Sequence, residues 1–185
     1  MRIVAGTWRG RKLGIADVPG LRPTADRVRE TLFNWLAADV ADARCLDLFA
    51  GTGALGIEAL SRGAAHCCFV EQSPHASDAL SKSLQKLEAQ KHATVFNVDA
   101  LKFLAANQNN GDDVRTFDLA FLDPPFADDL LTPALDLLIA SNCLSPNALI
   151  YFEHAADSSL HVPREWQVRR HKQTGDVSFG LLERD

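Results

Sequence analysis

The sequence predicts an α/β protein, a mostly parallel sheet with helices on both faces and an antiparallel hairpin at its end. Three observations carry that expectation. From Arg44 onward, short apolar runs alternate with helical stripes, the pattern of consecutive βαβ units. The last two such runs are instead separated by a Gly175-Asp176 turn, which reads as a hairpin. The 185 residues, 46% hydrophobic and 23% charged, suffice for one domain with a substantial core.

Each element has its own justification. Arg2-Ile-Val-Ala and Lys12-Leu-Gly-Ile flank the Gly6–Gly10 stretch and are expected to pair as a small hairpin. After Pro23, Thr24 caps a helix whose apolar face is Val28, Leu32, Trp35 and Leu36, with Arg27, Glu30 and Asn34 on the polar side. Cys45–Phe49 reads as a strand entering Gly51, Ala54–Ser61 as a helix and Cys67–Val70 as a strand. Ser73-Pro74 places an N-cap and a proline at the head of a helix striped by Leu80, Leu84 and Leu87. Thr94–Val98 is the next strand, Leu101–Ala106 a short helix, and Phe117–Leu122 a buried strand. Thr132-Pro133 is expected to open another helix, Ala148–Phe152 a strand, and Trp166–Arg170 and Val177–Leu182 the two arms of the hairpin. Asn107–Asp113 is the one stretch with linker character.

Composition excludes several classes. No apolar run spans a membrane or forms a signal peptide, so a cytoplasmic protein is expected. The four cysteines, Cys45, Cys67, Cys68 and Cys143, and six histidines lack metal-site or disulfide spacing; buried thiols and no metal are expected. The net charge of −5 is unevenly distributed. Residues 1–29 carry seven bases and two acids, a net +5, and the remainder a net −10. An arm over residues 1–23 preceding a domain over 24–185 is the expected organisation. Arg9, Arg11, Lys12, Arg22, Thr24, Arg27 and Arg29 are the candidate phosphate contacts, against the alternative of a merely solvated basic segment. Trp8 either stacks on a splayed base or anchors the hairpin to the body.

Gly51-Thr-Gly53-Ala-Leu-Gly56 joins a strand to a helix and matches G-x-G-x-x-G, with Glu71 ending the next strand 20 residues after Gly51. Taken alone this is a dinucleotide fingerprint. Asp47, four residues before Gly51, argues against it: a carboxylate repels a pyrophosphate and attracts the ammonium of an amino-acid-bearing cofactor. S-adenosylmethionine has that ammonium and no phosphate. Glu71 then accepts the ribose hydroxyls, and Asp99, ending the third strand, the adenine amine. The alternatives are a helix cap for Asp99 and close packing for the glycines. Phe49 and Ala100 complete the candidate cofactor set of Asp47, Gly51, Gly53, Gly56, Glu71 and Asp99.

Asp123-Pro124-Pro125-Phe126 follows the apolar fourth strand. Two prolines stiffen the loop and remove amide donors, leaving the Asp123 carboxylate and the Pro124 carbonyl as acceptors for a planar exocyclic amine. Held by both, the amine frees its lone pair for in-line attack on a sulfonium methyl. Phe126 offers a stacking face. The plainer alternative is a Pro-Pro turn beside a core phenylalanine.

Asp47–Gly56, Asp123–Phe126, the opening Arg2-Ile-Val-Ala-Gly and Leu21-Arg-Pro-Thr-Ala-Asp-Arg-Val-Arg-Glu-Thr-Leu-Phe-Asn-Trp35 together resemble the RsmD-type bacterial methyltransferases of small-subunit (16S) ribosomal RNA. The resemblance spans essentially the whole chain, and its Arg-Pro-Thr segment is its most specific part. It implies a Rossmann-like class I methyltransferase with a seven-stranded sheet and transfer from S-adenosylmethionine to the N2 amine of a guanine. It also implies 16S RNA, in the assembling or assembled small subunit, as partner, with N-terminal residues contributing to RNA contact. A monomer is expected. The rival expectations are another amino-methyltransferase acting on DNA adenine or protein glutamine, an NAD-dependent oxidoreductase, and a non-catalytic RNA-binding assembly factor. His154, beside Glu153, is expected at the surface, and no general base is assigned.

Overall fold

The computed structural model describes residues 1–14, 26–107, 116–126 and 129–185. Its elements are α1 (Asp26–Trp35), β1 (Arg44–Asp47), α2 (Ala54–Ser61), β2 (His66–Val70), α3 (Pro74–Lys86), β3 (Ala93–Phe96), α4 (Ala100–Asn107), β4 (Phe117–Leu122), α5 (Leu131–Ala140), β5 (Leu144–Ala155), β6 (Trp166–Thr174) and β7 (Val177–Arg184). The seven strands form one sheet in the order β3-β2-β1-β4-β5-β7-β6. Strands β1 to β5 pair parallel, and β7 pairs antiparallel with both β5 and β6. The order reverses at β1, whose neighbours are β2 and β4. Ligands of open α/β sheets bind beyond the carboxyl ends of the strands at such a reversal.

The central strands β1, β2, β4 and β5 are apolar on both sides because both sides are covered. Cys45, Cys67, Phe69, Leu119, Phe121, Leu149 and Tyr151 join the layer packed on α1, α2 and α3. The intervening Leu46, Cys68, Val70, Ala120, Leu122, Ile150 and Phe152 join the layer on α4 and α5. All four cysteines are free and buried. Arg27, Glu30 and Asn34 are exposed on α1 as their spacing predicts, and Ser73 caps α3 by accepting from the Ala76 amide.

Several boundaries differ from expectation: β1 ends at Asp47 and β3 at Phe96, each short of the expected end, and β6 runs on to Thr174. Helix α5 starts at Leu131 without a side-chain cap, so Pro133 lies within its first turn, where no intrahelical donor is needed. Strand β5 begins at Leu144, ahead of the apolar run, with a register irregularity against β4. Among the described residues, no helix is long and apolar enough to cross a membrane.

Residues 1–14 form the expected hairpin around an Arg2–Lys12 bridge, and they share the main core: Ile3 and Leu13 are buried in it. The backbone amides of Val4 and Ala5 donate to the two carboxylate oxygens of Glu58, at 2.8 and 2.9 Å. The Thr7 amide donates to the Ser61 carbonyl and the Trp8 amide to the Ser61 hydroxyl. Gly6 makes this approach possible. It has φ +80°, and a Cβ there would lie 1.8 Å from the Ser61 carbonyl oxygen. Trp8 packs half-buried against the core, the anchoring role.

Candidate active site

The carboxyl ends of β1, β2 and β4 bring together the acids that the sequence separates by dozens of residues. Asp47 closes β1 and is buried, and its Oδ2 accepts from the Gly56 amide at 2.9 Å, a donor in the first turn of α2. It therefore occupies the positive end of that helix. Burial nonetheless dominates and pushes its carboxyl up to about 7, the Gly56 bond opposing and the charges of Asp123 and Glu71 adding.

Glu71 bridges the glycine loop and the next helix. Its Oε2 accepts from the Gly51 amide at 2.8 Å and its Oε1 from the Ser73 amide at 2.7 Å. Each oxygen retains a lone pair for a further donor. The three loop glycines divide their work. Gly53 has φ +76° in the turn itself, whereas a Cβ on Gly56 would lie 2.3 Å from the Phe69 ring and 2.6 Å from the Cys67 sulfur. Gly56 thus serves close packing of α2 on β2.

Asp99 is half-buried at the head of α4, where Oδ1 accepts from the Lys102 amide at 3.0 Å. This is the helix-cap alternative, and it occupies one of the two oxygens. Phe49 is half-buried beside the loop and Ala100 buried in the first turn of α4.

Asp123 follows β4 directly and is half-buried; Pro124 is buried and Phe126 is 39% exposed, one of two large hydrophobic side chains left in solvent among the described residues. An exposed phenylalanine beside a buried proline does not fit the core-residue alternative for this loop.

A further acid belongs to this edge that sequence reasoning does not single out. Register pairs Asp47 with Phe121 and Phe121 with Tyr151, so all three side chains share one face of the sheet. Two residues onward come Asp123, just past the end of β4, and Glu153, on the Tyr151 face of β5. Glu153 is 6% exposed, and its Oε2 accepts from the Tyr151 hydroxyl at 2.7 Å. Burial, then the Asp123 charge, push its carboxyl up to about 8. The available signal is positional: an acid directly after the apolar run Ala148–Phe152, the same strand-end position as Asp47, Glu71 and Asp123. The adjacent His154 stacks on Phe152 and lies within hydrogen-bond reach of Ala155 and Ser158.

The basic arm divides. Arg9, Lys12 and Arg27 are exposed; Arg11 is exposed and donates to the Lys86 carbonyl at the end of α3. Arg22 and Thr24 lie outside the described residues. Arg29 corrects the expectation of a phosphate contact. It is 1% exposed and donates to Asp26 and to the Arg2 carbonyl, each at 2.6 Å, with Glu58 at 3.9 Å. A guanidinium so enclosed ties the arm to α1 and α2 and presents no surface to RNA.

The family described as Conserved hypothetical protein 95 matches residues 1–183. The curated "Ribosomal RNA small subunit methyltransferase D" of Haemophilus influenzae is 47% identical over 184 residues, 99% of this chain and 93% of that protein. A solved structure described as a putative methyltransferase from Escherichia coli superposes with a TM-score of 0.88 at 42% identity, covering 100% of this chain and 98% of the other. A solved structure described as a putative methyltransferase complexed with SAH, at 15% identity and a TM-score of 0.71 over 89% of this chain and 50% of that one, shares the fold. With the sheet order, the glycine loop and the Asp-Pro-Pro-Phe corner already in place, these matches establish that the chain belongs to the family of ribosomal RNA small subunit methyltransferase D.

Proposed function

We propose that the protein transfers a methyl group from S-adenosylmethionine to the exocyclic N2 amine of a guanine in 16S ribosomal RNA. The observation that carries this reading is the set of carboxylates at the carboxyl ends of β1, β2 and β4. Asp47 and Glu71 flank the glycine loop, and among the described residues neither has an ion-pair partner. Uncompensated negative charge fits a ligand bearing an ammonium and a sulfonium, and disfavours the pyrophosphate of a dinucleotide. The SAH bound by the structural neighbour agrees in chemistry.

Bound there, S-adenosylmethionine supplies an electrophilic methyl group on a positively charged sulfur. Asp47 faces its ammonium directly or through water, Glu71 accepts the ribose hydroxyls with its remaining lone pairs, and Asp99 takes the adenine amine with the oxygen its helix cap leaves over. Asp123 and the Pro124 carbonyl hold the two hydrogens of the target amine, and Phe126 stacks on the base. Held so, the nitrogen lone pair points away from both acceptors and toward the methyl carbon. Ribosomal RNA in the small subunit is the partner, met by the exposed bases of the arm.

The test supplies methyl-labelled S-adenosylmethionine to the protein with small subunits lacking the modification, and maps the labelled nucleotide. Label on a guanine N2 is expected. Asp123→Ala should leave cofactor affinity nearly intact and lower turnover by about 10²-fold or more. Label on another base, or an Asp123→Ala variant with full turnover, rejects the reading.

A further inference from the structure

We propose that Glu153 is the specificity-determining residue of this site, its carboxyl oxygen accepting the N1–H of the target guanine beside the amine held by Asp123. The proposal rests on the guanine reading above and adds the group that makes the site select guanine among the amine-bearing bases.

The argument starts from what an Asp-Pro-Pro-Phe corner can distinguish. Two acceptors recognise an NH₂ group, and guanine, adenine and cytosine all carry one. Guanine N3, on one side of its amine, is an acceptor, but the ring nitrogen on the Watson–Crick edge differs. In guanine it is N1–H, a donor; in adenine N1 and in cytosine N3 it is an acceptor. Selecting guanine therefore calls for an acceptor adjacent to the amine-binding pair, on the same side of the sheet. Bases displayed in single-stranded RNA are read in this way on their Watson–Crick edges.

Glu153 meets that requirement by register. Leu122 and Phe152 are paired on adjacent parallel strands, so Asp123, just past the end of β4, and Glu153, on the Tyr151 face of β5, follow that pair as near neighbours. Neighbouring strands lie about 4.8 Å apart, a spacing at which two carboxyls can meet adjacent atoms of one base. The Tyr151 hydroxyl fixes one oxygen, Oε2, and thereby orients Oε1. Tyr151 is itself held between Phe121 and Phe179, with ring centroids 6.4 Å from each. The charge of Asp123 is felt at Glu153, consistent with this closeness.

Stability offers no reason for an acid here. Glu153 is buried without an ion pair among the described residues, a costly arrangement that a neutral side chain would relieve. In its ionised form, which prevails as pH rises through about 8, Glu153 sets acceptor against acceptor at adenine N1 or cytosine N3, whereas its protonated form can donate to either, so the preference for guanine strengthens with rising pH. Sites that hydrogen-bond a substrate N–H reject bases lacking it strongly, since their buried acceptor is then left unpaired.

The test compares wild type, Glu153→Gln and Tyr151→Phe on small subunits carrying guanine, and separately adenine, at the mapped target position. The amide of Gln can present an acceptor to guanine N1–H or a donor to adenine N1. For Glu153→Gln, kcat/KM on guanine should fall at least tenfold and the guanine-to-adenine ratio at least tenfold, with S-adenosylmethionine affinity unchanged. Tyr151→Phe should reduce kcat/KM on guanine several-fold while retaining the ring packing.

A stability measurement separates selectivity from scaffolding. The titratable neighbours are Asp123 and Tyr151. With the folded-state value raised, the native state binds this proton more tightly than the unfolded chain, so stability declines as pH rises from about 5 through 8. Glu153→Gln removes the Glu153 share of that decline, leaving the share of Asp47, and should be the more stable protein at pH 8. An unchanged guanine-to-adenine ratio in Glu153→Gln overturns the proposal, as does a variant that is less stable than wild type at pH 8 and loses both activities together. If wild type places no label on guanine at all, it is the underlying function that fails.

Discussion

The two ends of helix α2 are built with the same device and opposite electrostatics. At its C-terminal half, Glu58 accepts two backbone amides of the arm and is enclosed by Arg29 and Arg62, the latter at 2.9 Å. At its N-terminal end, Asp47 and Glu71 likewise accept backbone amides, from Gly56, Gly51 and Ser73, with no counterion among the described residues. A carboxylate that only holds the fold together is neutralised within the fold. One left uncompensated, as Asp47 is, has its carboxyl raised to about 7 and is partly protonated, a state that a cationic ligand would shift back toward the carboxylate. The contrast separates a scaffolding acid from a proposed binding acid where burial alone does not, Glu58 and Asp47 being 1% and 2% exposed.

Breaking each end should give a different symptom. The largest effect is expected for Glu58→Ala, which releases the Val4 and Ala5 amides, removes the partner of Arg62 and leaves the buried Arg29 with Asp26 and the Arg2 carbonyl. It should cost about 3–5 kcal/mol of unfolding free energy in urea titrations. Any loss of methyl transfer should follow from that instability. A variant of wild-type stability would show that the arm is held by its apolar contacts alone.

Glu71→Ala should spare stability relative to that and weaken S-adenosylmethionine binding by about 1.5–3 kcal/mol in calorimetry, the worth of hydrogen bonds to a charged group. NADH should bind negligibly to wild type. Should Glu71→Ala lose stability instead and keep its affinity, the carboxylate is a loop brace of the Glu58 kind and the contrast between the two ends collapses.

The smallest and most salt-dependent effect is expected at the exposed face of the arm. Replacing Arg9 and Lys12 by alanine should raise the KM for small subunits, leave cofactor affinity alone, and flatten the log–log salt slope by about 0.7–0.9 for each phosphate that is no longer neutralised. Unchanged KM at physiological salt would make the arm wholly structural. The RNA surface would then be sought on β6, where Arg170 and Lys172 are exposed and Arg169 is tied to Asp39 and Glu183.

The sequence by itself determined the alternation of strands and helices, the terminal hairpin, the glycine loop and the Asp-Pro-Pro-Phe corner. These follow from local patterning: apolar periodicity, turn residues and proline placement act over a few neighbours and survive without tertiary information. Tertiary structure alone decided which charges are internal. Arg27 and Arg29 are two residues apart in one basic segment, yet one is exposed and the other buried, because α1 turns only the second toward Glu58. Likewise Glu153 became a member of the site only through the pairing of β4 with β5. Asp123 and Glu153 are 30 residues apart in the chain, and strand register, a long-range property, makes them neighbours.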